Sequence, residues 1–322
     1  MCYNDSNEAY PRKPRCRVGA FVYKMDTRRF RGYAFVLGAA TLWATLGIIF
    51  KSLIDDYGLS RITIAFFRAS LSAAILFAAL VTRRPGALRI AKRDILLFTA
   101  FGLFAVAAFF IVYVTAIDLV GVSVAAVLLY TAPAWVAVIS ALFLAEQLTM
   151  RKLIAVMLAM IGCTLVARIY DVSGLKLNGL GILAGLGAGL GYALYSVLSK
   201  IGVRRYDGWT VLVYGLLFGS VFLAPLQSPQ SIVAALRQPG AVVWLLALAL
   251  GPTLGAGLAF NAGLRYIPVS SASVVATLEP VIASLLAFAF LHERLDLAQL
   301  AGGALILIAV IILTRTPQVL RA

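Results

Sequence analysis

Apolar residues in this chain fall in long unbroken blocks, separated by short polar or basic stretches, with no alternation of apolar and polar positions. A block of about 20 apolar residues crosses the ~30 Å hydrocarbon core of a bilayer. Only helices and closed barrels satisfy their backbone groups there, and continuous blocks favour helices. Ten spans are predicted, at roughly 32–50, 62–81, 95–114, 119–144, 152–167, 178–199, 209–226, 241–262, 269–291 and 297–313. The fourth is the longest and is predicted to tilt. The fold class is therefore all-α integral membrane protein.

One block repeats. Ser270 to Leu295 reads SSASVVATLEPVIASLLAFAFLHERL, and Ser123 to Leu148 reads SVAAVLLYTAPAWVAVISALFLAEQL. Pro133 and Glu146 superpose on Pro280 and Glu293 with a shift of 147 residues. Trp43 and Lys51 align with Tyr192 and Lys200 at a shift of 149. Five spans per repeat is an odd number, so the second copy inserts upside down relative to the first. Two inverted five-helix repeats, at 32–170 and 176–315, suit a carrier that holds substrate near the midplane between its halves. Residues 1–31 read as a disordered basic tail without the apolar core of a secretory signal, and 316–322 as a second tail.

Composition agrees with the pattern. The 322 residues are 62% hydrophobic and 13% charged, with a mean hydropathy of +0.97; a soluble domain carries about 25% charged residues. The formal charge of +15 does not indicate a nucleic-acid partner, because the basic residues sit in short loops. Alternate loops hold 21 Lys and Arg on one side and 6 on the other. Positive loops stay inside, so both termini are expected in the cytoplasm of a multi-pass cell-membrane protein. The stretch from Arg83 to Arg93 is the main cytoplasmic anchor after the tail.

The doubled Pro-to-Glu spacing, the endings AEQLT and HERLD, and TLEPV in the second half together resemble the drug/metabolite transporter superfamily in its EamA-type, ten-helix branch. The resemblance covers about residues 32 to 315. It implies export of small metabolites such as amino acids or amphipathic drugs, through a central cavity lined by the first, third and fourth helices of each half.

Glu279 is the one carboxylate deep in a span. An ionisable group at the bilayer centre costs roughly 2.5–3.5 kcal/mol on insertion scales. It serves either a substrate ammonium or coupling proton, or a structural hydrogen bond between helices. Its counterpart in the first half is Ala132, so only one half carries the charge. Pro280 and Pro133 withdraw backbone donors from the carbonyls of Ala276 and Leu129, which a substrate amine, a hydroxyl or water can use. Arg68, inside the second span, snorkels, pairs with Glu279 or binds a substrate carboxylate. Tyr130, Trp43 and Tyr192 are the aromatic candidates for a cavity wall, and Trp209 an interfacial anchor. Asn261 is a buried amide that acts as interhelical glue or as a ligand contact. Glu146 and Glu293, repeated at helix ends, have a structural or gating role, and Lys51 and Lys200 are expected to snorkel. Gly181, Gly185 and Gly189 fall four apart and allow close helix packing, sliding or a homodimer contact.

Enzyme chemistry finds little support. His292-Glu293 is not followed by a second histidine at zinc-protease spacing. The three cysteines, Cys2, Cys16 and Cys163, form no metal pattern, and no phosphate-binding glycine loop is present. No cofactor or metal is expected; the partners are a small-molecule substrate and the lipid bilayer. The expected function is a secondary transporter exporting an amino acid or another amphipathic amine by alternating access. The alternatives are a carrier of sugars, nucleosides or nucleotide conjugates, or a non-transporting membrane protein.

Overall fold

Residues 27–170, 178–291 and 295–315 are described by a computed structural model. They are helical nearly throughout. Among them, nine helices are long and apolar enough to cross a membrane: α1 (Thr27–Asp55), α2 (Arg61–Arg83), α3 (Lys92–Val120), α4 (Val122–Phe143), α6 (Gly179–Val203), α7 (Gly208–Leu226), α8 (Pro239–Leu264), α9 (Val269–Phe290) and α10 (Leu297–Thr314). Between α4 and α6 lies α5, Met150–Val166, of 17 residues. The chain is thus an all-helical protein with the make-up of a multi-pass membrane protein.

Helix starts follow from the polar residues at the block edges. Side-chain oxygens of Ser60, Thr149, Asn178 and Asp296 accept the backbone N–H of Thr63, Lys152, Gly181 and Gln299, which satisfies donors that a helix N-terminus leaves open. Several boundaries differ from the sequence reading, the first and third spans most. Helix begins at Thr27, so Arg28, Arg29 and Arg31 belong to α1 and not to the tail; residues 1–26 and 316–322 lie outside the described region. The fourth span is not the longest: α4 has 22 residues against 29 in α1 and α3. Gly121, at φ +83, makes the turn that ends α3 and starts α4. A backbone in that region suits glycine, and it lets the apolar run continue through the corner without a polar loop.

Several helices are interrupted. α4 breaks at Tyr130–Thr131, α9 at Thr277 and α1 at Ala44–Thr45. At each break a threonine hydroxyl donates to the carbonyl three residues back: Thr131 to Leu128 at 2.7 Å, Thr277 to Val274 at 2.6 Å and Thr45 to Leu42 at 2.7 Å. Pro133 and Pro280 therefore do not kink continuous helices. They sit in the first turn after a break, where a missing N–H costs little. α3 and α8 each contain a π-helical stretch, Phe101–Ala108 and Ala249–Gly255.

Packing is reciprocal between the first five helices and the last five. α1 lies along α8 and α6 along α3; α4 lies on α6 and α9 on α1; α3 meets α7 and α8 meets α2. α2–α7, α4–α9 and α5–α10 are self-reciprocal pairs. In the last pair, a Cβ on Gly162 or Gly302 would come within 2.6 Å of the other's carbonyl oxygen, so the backbones nearly touch. The glycine stripe on α6 is filled from within the chain: Gly181 faces Leu119 and Val120, Gly185 faces Leu128, and Gly189 faces Thr131.

The starts of odd-numbered helices and the ends of even-numbered ones gather at one end. Asp94 accepts from Arg205 Nη1 and from the Tyr206 hydroxyl, both at 2.6 Å, and Arg265 pairs with Asp207 at 2.5 Å. Tyr33 near the start of α1 donates to the Leu313 carbonyl near the end of α10 at 3.3 Å. This end carries the stretch from Arg83 to Arg93 and is called the basic end below.

Candidate functional site

Glu279 is the second residue of the α9 segment that begins at Leu278 after the Thr277 break. The preceding segment, Val269–Ala276, is buried at every position, yet Glu279 is only half-buried. Its neighbours explain where that open surface points. Arg68 on α2, Tyr113 on α3, Tyr130 on α4, Cys163 on α5 and Tyr192 on α6 all lie within its electrostatic range. A carboxyl ringed by five helices faces the interior, not the lipid.

Arg68 is held from outside the sequence signals. Pro252, in the π-helical stretch of α8, has no N–H to give. The Thr253 hydroxyl donates to the Leu248 carbonyl at 2.8 Å and accepts from Arg68 Nε at 3.0 Å. Ser72, one turn along α2, donates to the Ala249 carbonyl in the same stretch at 3.2 Å. The guanidinium also lies over the Phe110 ring, 5.2 Å from its centroid. Among the described residues, Arg68 and Glu279 form no direct ion pair, the Arg68 Nη groups make no hydrogen bond, and the Glu279 carboxyl has no hydrogen-bond donor. The two charges thus share one interior with their recognition edges uncommitted.

Aromatic rings pack beside them. Phe101, Tyr195, Phe260, Trp43, Tyr192, Phe109 and Tyr113 make a continuous chain of contacts with centroids 5.3–6.2 Å apart. The sequence mates Trp43 and Tyr192 meet edge to face at 6.0 Å. Tyr130 is the residue at which α4 breaks, and it is buried. Phe260 and Thr253 were not singled out by sequence. Phe260 is one apolar residue among many, and the π-helical turn that gives Thr253 its role has no sequence signature.

The other candidates fall elsewhere. Asn261 is fully buried, and its amide donates to the Gly208 carbonyl at 3.1 Å, tying α8 to the start of α7. Pro280 is buried beside Glu279 and Pro133 beside the α4 break. Glu146 sits at the basic end. Its carboxylate accepts Val269 N at 2.8 Å, Ser270 N at 3.3 Å and the Ser270 hydroxyl, with Lys152 Nζ 3.4 Å away. Glu293 lies outside the described residues. Lys200 does not snorkel: its ammonium turns inward to the carbonyls of Leu264 and, at 2.9 Å, Ile267. A cleft of about 230 Å³ at the basic end is lined by Arg84, Trp209 and Arg265, with Arg84 stacked 5.9 Å from the Trp209 centroid.

Comparison with known proteins agrees with this architecture. The EamA-like transporter family matches twice, over residues 30–168 and 179–315. An uncharacterized transporter of Archaeoglobus fulgidus is 34% identical over 203 residues, 63% of this chain and 71% of that protein. A protein of Streptantibioticus cattleyicolor described as a probable terminal-alkyne amino-acid exporter is 26% identical over 288 residues, 88% of this chain and 93% of its own length. A solved crystal structure superposes with a TM-score of 0.75 over 89% of this chain and 97% of its own, at 18% identity, a likeness of fold alone. On the two matched segments, which together reach into each of α1 to α10, this chain belongs to the EamA-like transporter family.

Proposed function

We propose that this protein is a secondary carrier that exports a small zwitterionic or cationic metabolite, an amino acid or amphipathic amine, by alternating access. Its ten helices would cross the membrane as two inverted repeats of five, with the basic end and both termini in the cytoplasm. The reciprocal packing of the two halves, the paired breaks in α4 and α9 and the paired π-helical stretches in α3 and α8 support the repeat. The excess of Lys and Arg at the basic end supports the orientation.

The observation that carries the substrate class is the pair Arg68 and Glu279: opposite charges in one aromatic-walled interior, neither neutralised by direct contact with the other. A carboxylate fits the free Nη edge of Arg68 in bidentate fashion, and an ammonium fits the Glu279 carboxylate. The Trp43–Tyr192–Phe109 face would take the apolar part. The amino-acid exporter among the relatives is in keeping with this. Counterflow in proteoliposomes with amino acids, amines, sugars and nucleosides tests it. Amino acids or amines should exchange, and Glu279→Gln should abolish exchange in a protein that still elutes as a single folded species. Exchange of sugars or nucleosides alone, or wild-type exchange by Glu279→Gln, would overturn the assignment.

A further inference from the structure

Lys51 and Lys200 occupy equivalent places in the two halves, at a shift of 149, yet their surroundings are opposite. Lys200, at the end of α6, grips the corner between α8 and α9 through the carbonyls of Leu264 and Ile267. Glu146 grips the same corner from the other half of the chain, capping the N-terminus of α9 through Val269 and Ser270. Both capped residues are buried, Val269 at 0% and Ser270 at 3% exposure. Lys51 is exposed and makes no hydrogen bond or ion pair among the described residues. The corner it would face is that between α3 and α4. There Val122 and Ser123, the equivalents of Val269 and Ser270, are exposed, and among the described residues no side chain caps the α4 N-terminus.

The backbone shows how the two lysines come to differ. α6 runs unbroken from Gly179 to Val203. α1 is interrupted at Ala44–Thr45, so Lys51 rides on a separate segment, Leu46–Asp55. One corner is held by two side chains, and its equivalent at the other end carries no such contact among the described residues.

We propose that these side chains form an alternating latch. Glu146 and Lys200 hold the basic end closed in this conformation. In the reversed conformation Lys51 swings about the Thr45 break onto the carbonyls that end α3, while Lys200 and Glu146 release the α8–α9 corner. The proposal rests on the alternating-access reading but not on any substrate.

Maleimide labelling in nanodiscs tests it without substrate. Ser273→Cys, one turn inside the latch and 4% exposed, is placed in a background with Cys2, Cys16 and Cys163 replaced by alanine. Releasing the latch with Glu146→Gln or Lys200→Met should raise the labelling rate about tenfold, a modest population shift. Adding Lys51→Met to either variant should reverse the gain, because the competing conformation loses its own latch. Unchanged labelling in Glu146→Gln and Lys200→Met overturns the proposal, and so does a gain that Lys51→Met leaves intact. Should Glu146→Gln not fold, Glu146→Asp, which shortens the same reach, takes its place with the same expected signs. A protein that fails every counterflow assay but shows these opposed effects retains the latch and loses only the substrate assignment.

Discussion

The Thr253 hydroxyl does two things at once: it fills the carbonyl of Leu248 and fixes the Nε of Arg68. Removing it leaves a buried carbonyl and a charged donor without their partner, a loss of about 1–3 kcal/mol. Thr253→Val should therefore lower the melting temperature and also weaken exchange, because the guanidinium loses its orientation. Arg68→Lys should stay folded yet lose exchange, since an ammonium can neither fork a carboxylate nor lie flat on Phe110. Wild-type exchange kinetics in both variants would remove Arg68 from the site. Glu279 was legible in the sequence because a lone acid in an apolar block is costly and so conspicuous. Trp43 and Tyr192 were legible because the repeat paired them. Thr253 was not, since threonines are common in spans and its role depends on a π-helical turn in α8, which packs against α2 but lies far from Arg68 in sequence.

Helix ends carry the clearest local chemistry. Asp296 starts α10 with a capping box: its side chain accepts Gln299 N at 2.8 Å, while the Gln299 side chain accepts Asp296 N at 3.2 Å. The Tyr170 hydroxyl donates to it at 2.5 Å and Arg168 Nε lies 3.1 Å away. The Tyr170 hydrogen bond, then the Gln299 backbone donor and the Arg168 charge, hold the Asp296 carboxyl below its ordinary value. Its contribution to stability is therefore full above the unfolded carboxylate value of about 3.9 and is lost as the pH falls through the depressed folded value. Asp296→Asn should lower the melting temperature at neutral pH, and the gap to wild type should close in acid; a gap that persists there would show that the charge is not the cause. The block pattern located the helices but not their breaks. Gly121 lies inside an apolar run that reads as continuous, and only its positive φ turns the chain. Likewise prolines 133 and 280 lie two or three residues past the breaks, where threonine hydroxyls already take the carbonyls that end the preceding segments.

Across the whole molecule, the shift of 147 to 149 residues marks two related halves, and the reciprocal helix pairs follow the same exchange. What the shift could not convey is the asymmetry laid over it. Glu279 answers Ala132, the broken α1 answers the unbroken α6, and the clamped Lys200 answers the exposed Lys51. These differences set the two halves apart in charge and in backbone.

The Tyr33–Leu313 contact bears on how such a chain could be rewired. With the first helix beginning where the last one finishes, a short linker from 315 to 27 would close the polypeptide into a ring, and a cut between 170 and 178 would reopen it with its halves in reverse order. Chain ends that lie together tolerate this treatment, and every helix pair named above survives it. Such a permuted protein should fold and melt close to the parent, as scanning fluorimetry would read out. If it instead collapses, the sequence in which the two halves enter the bilayer, and not their final packing, governs assembly.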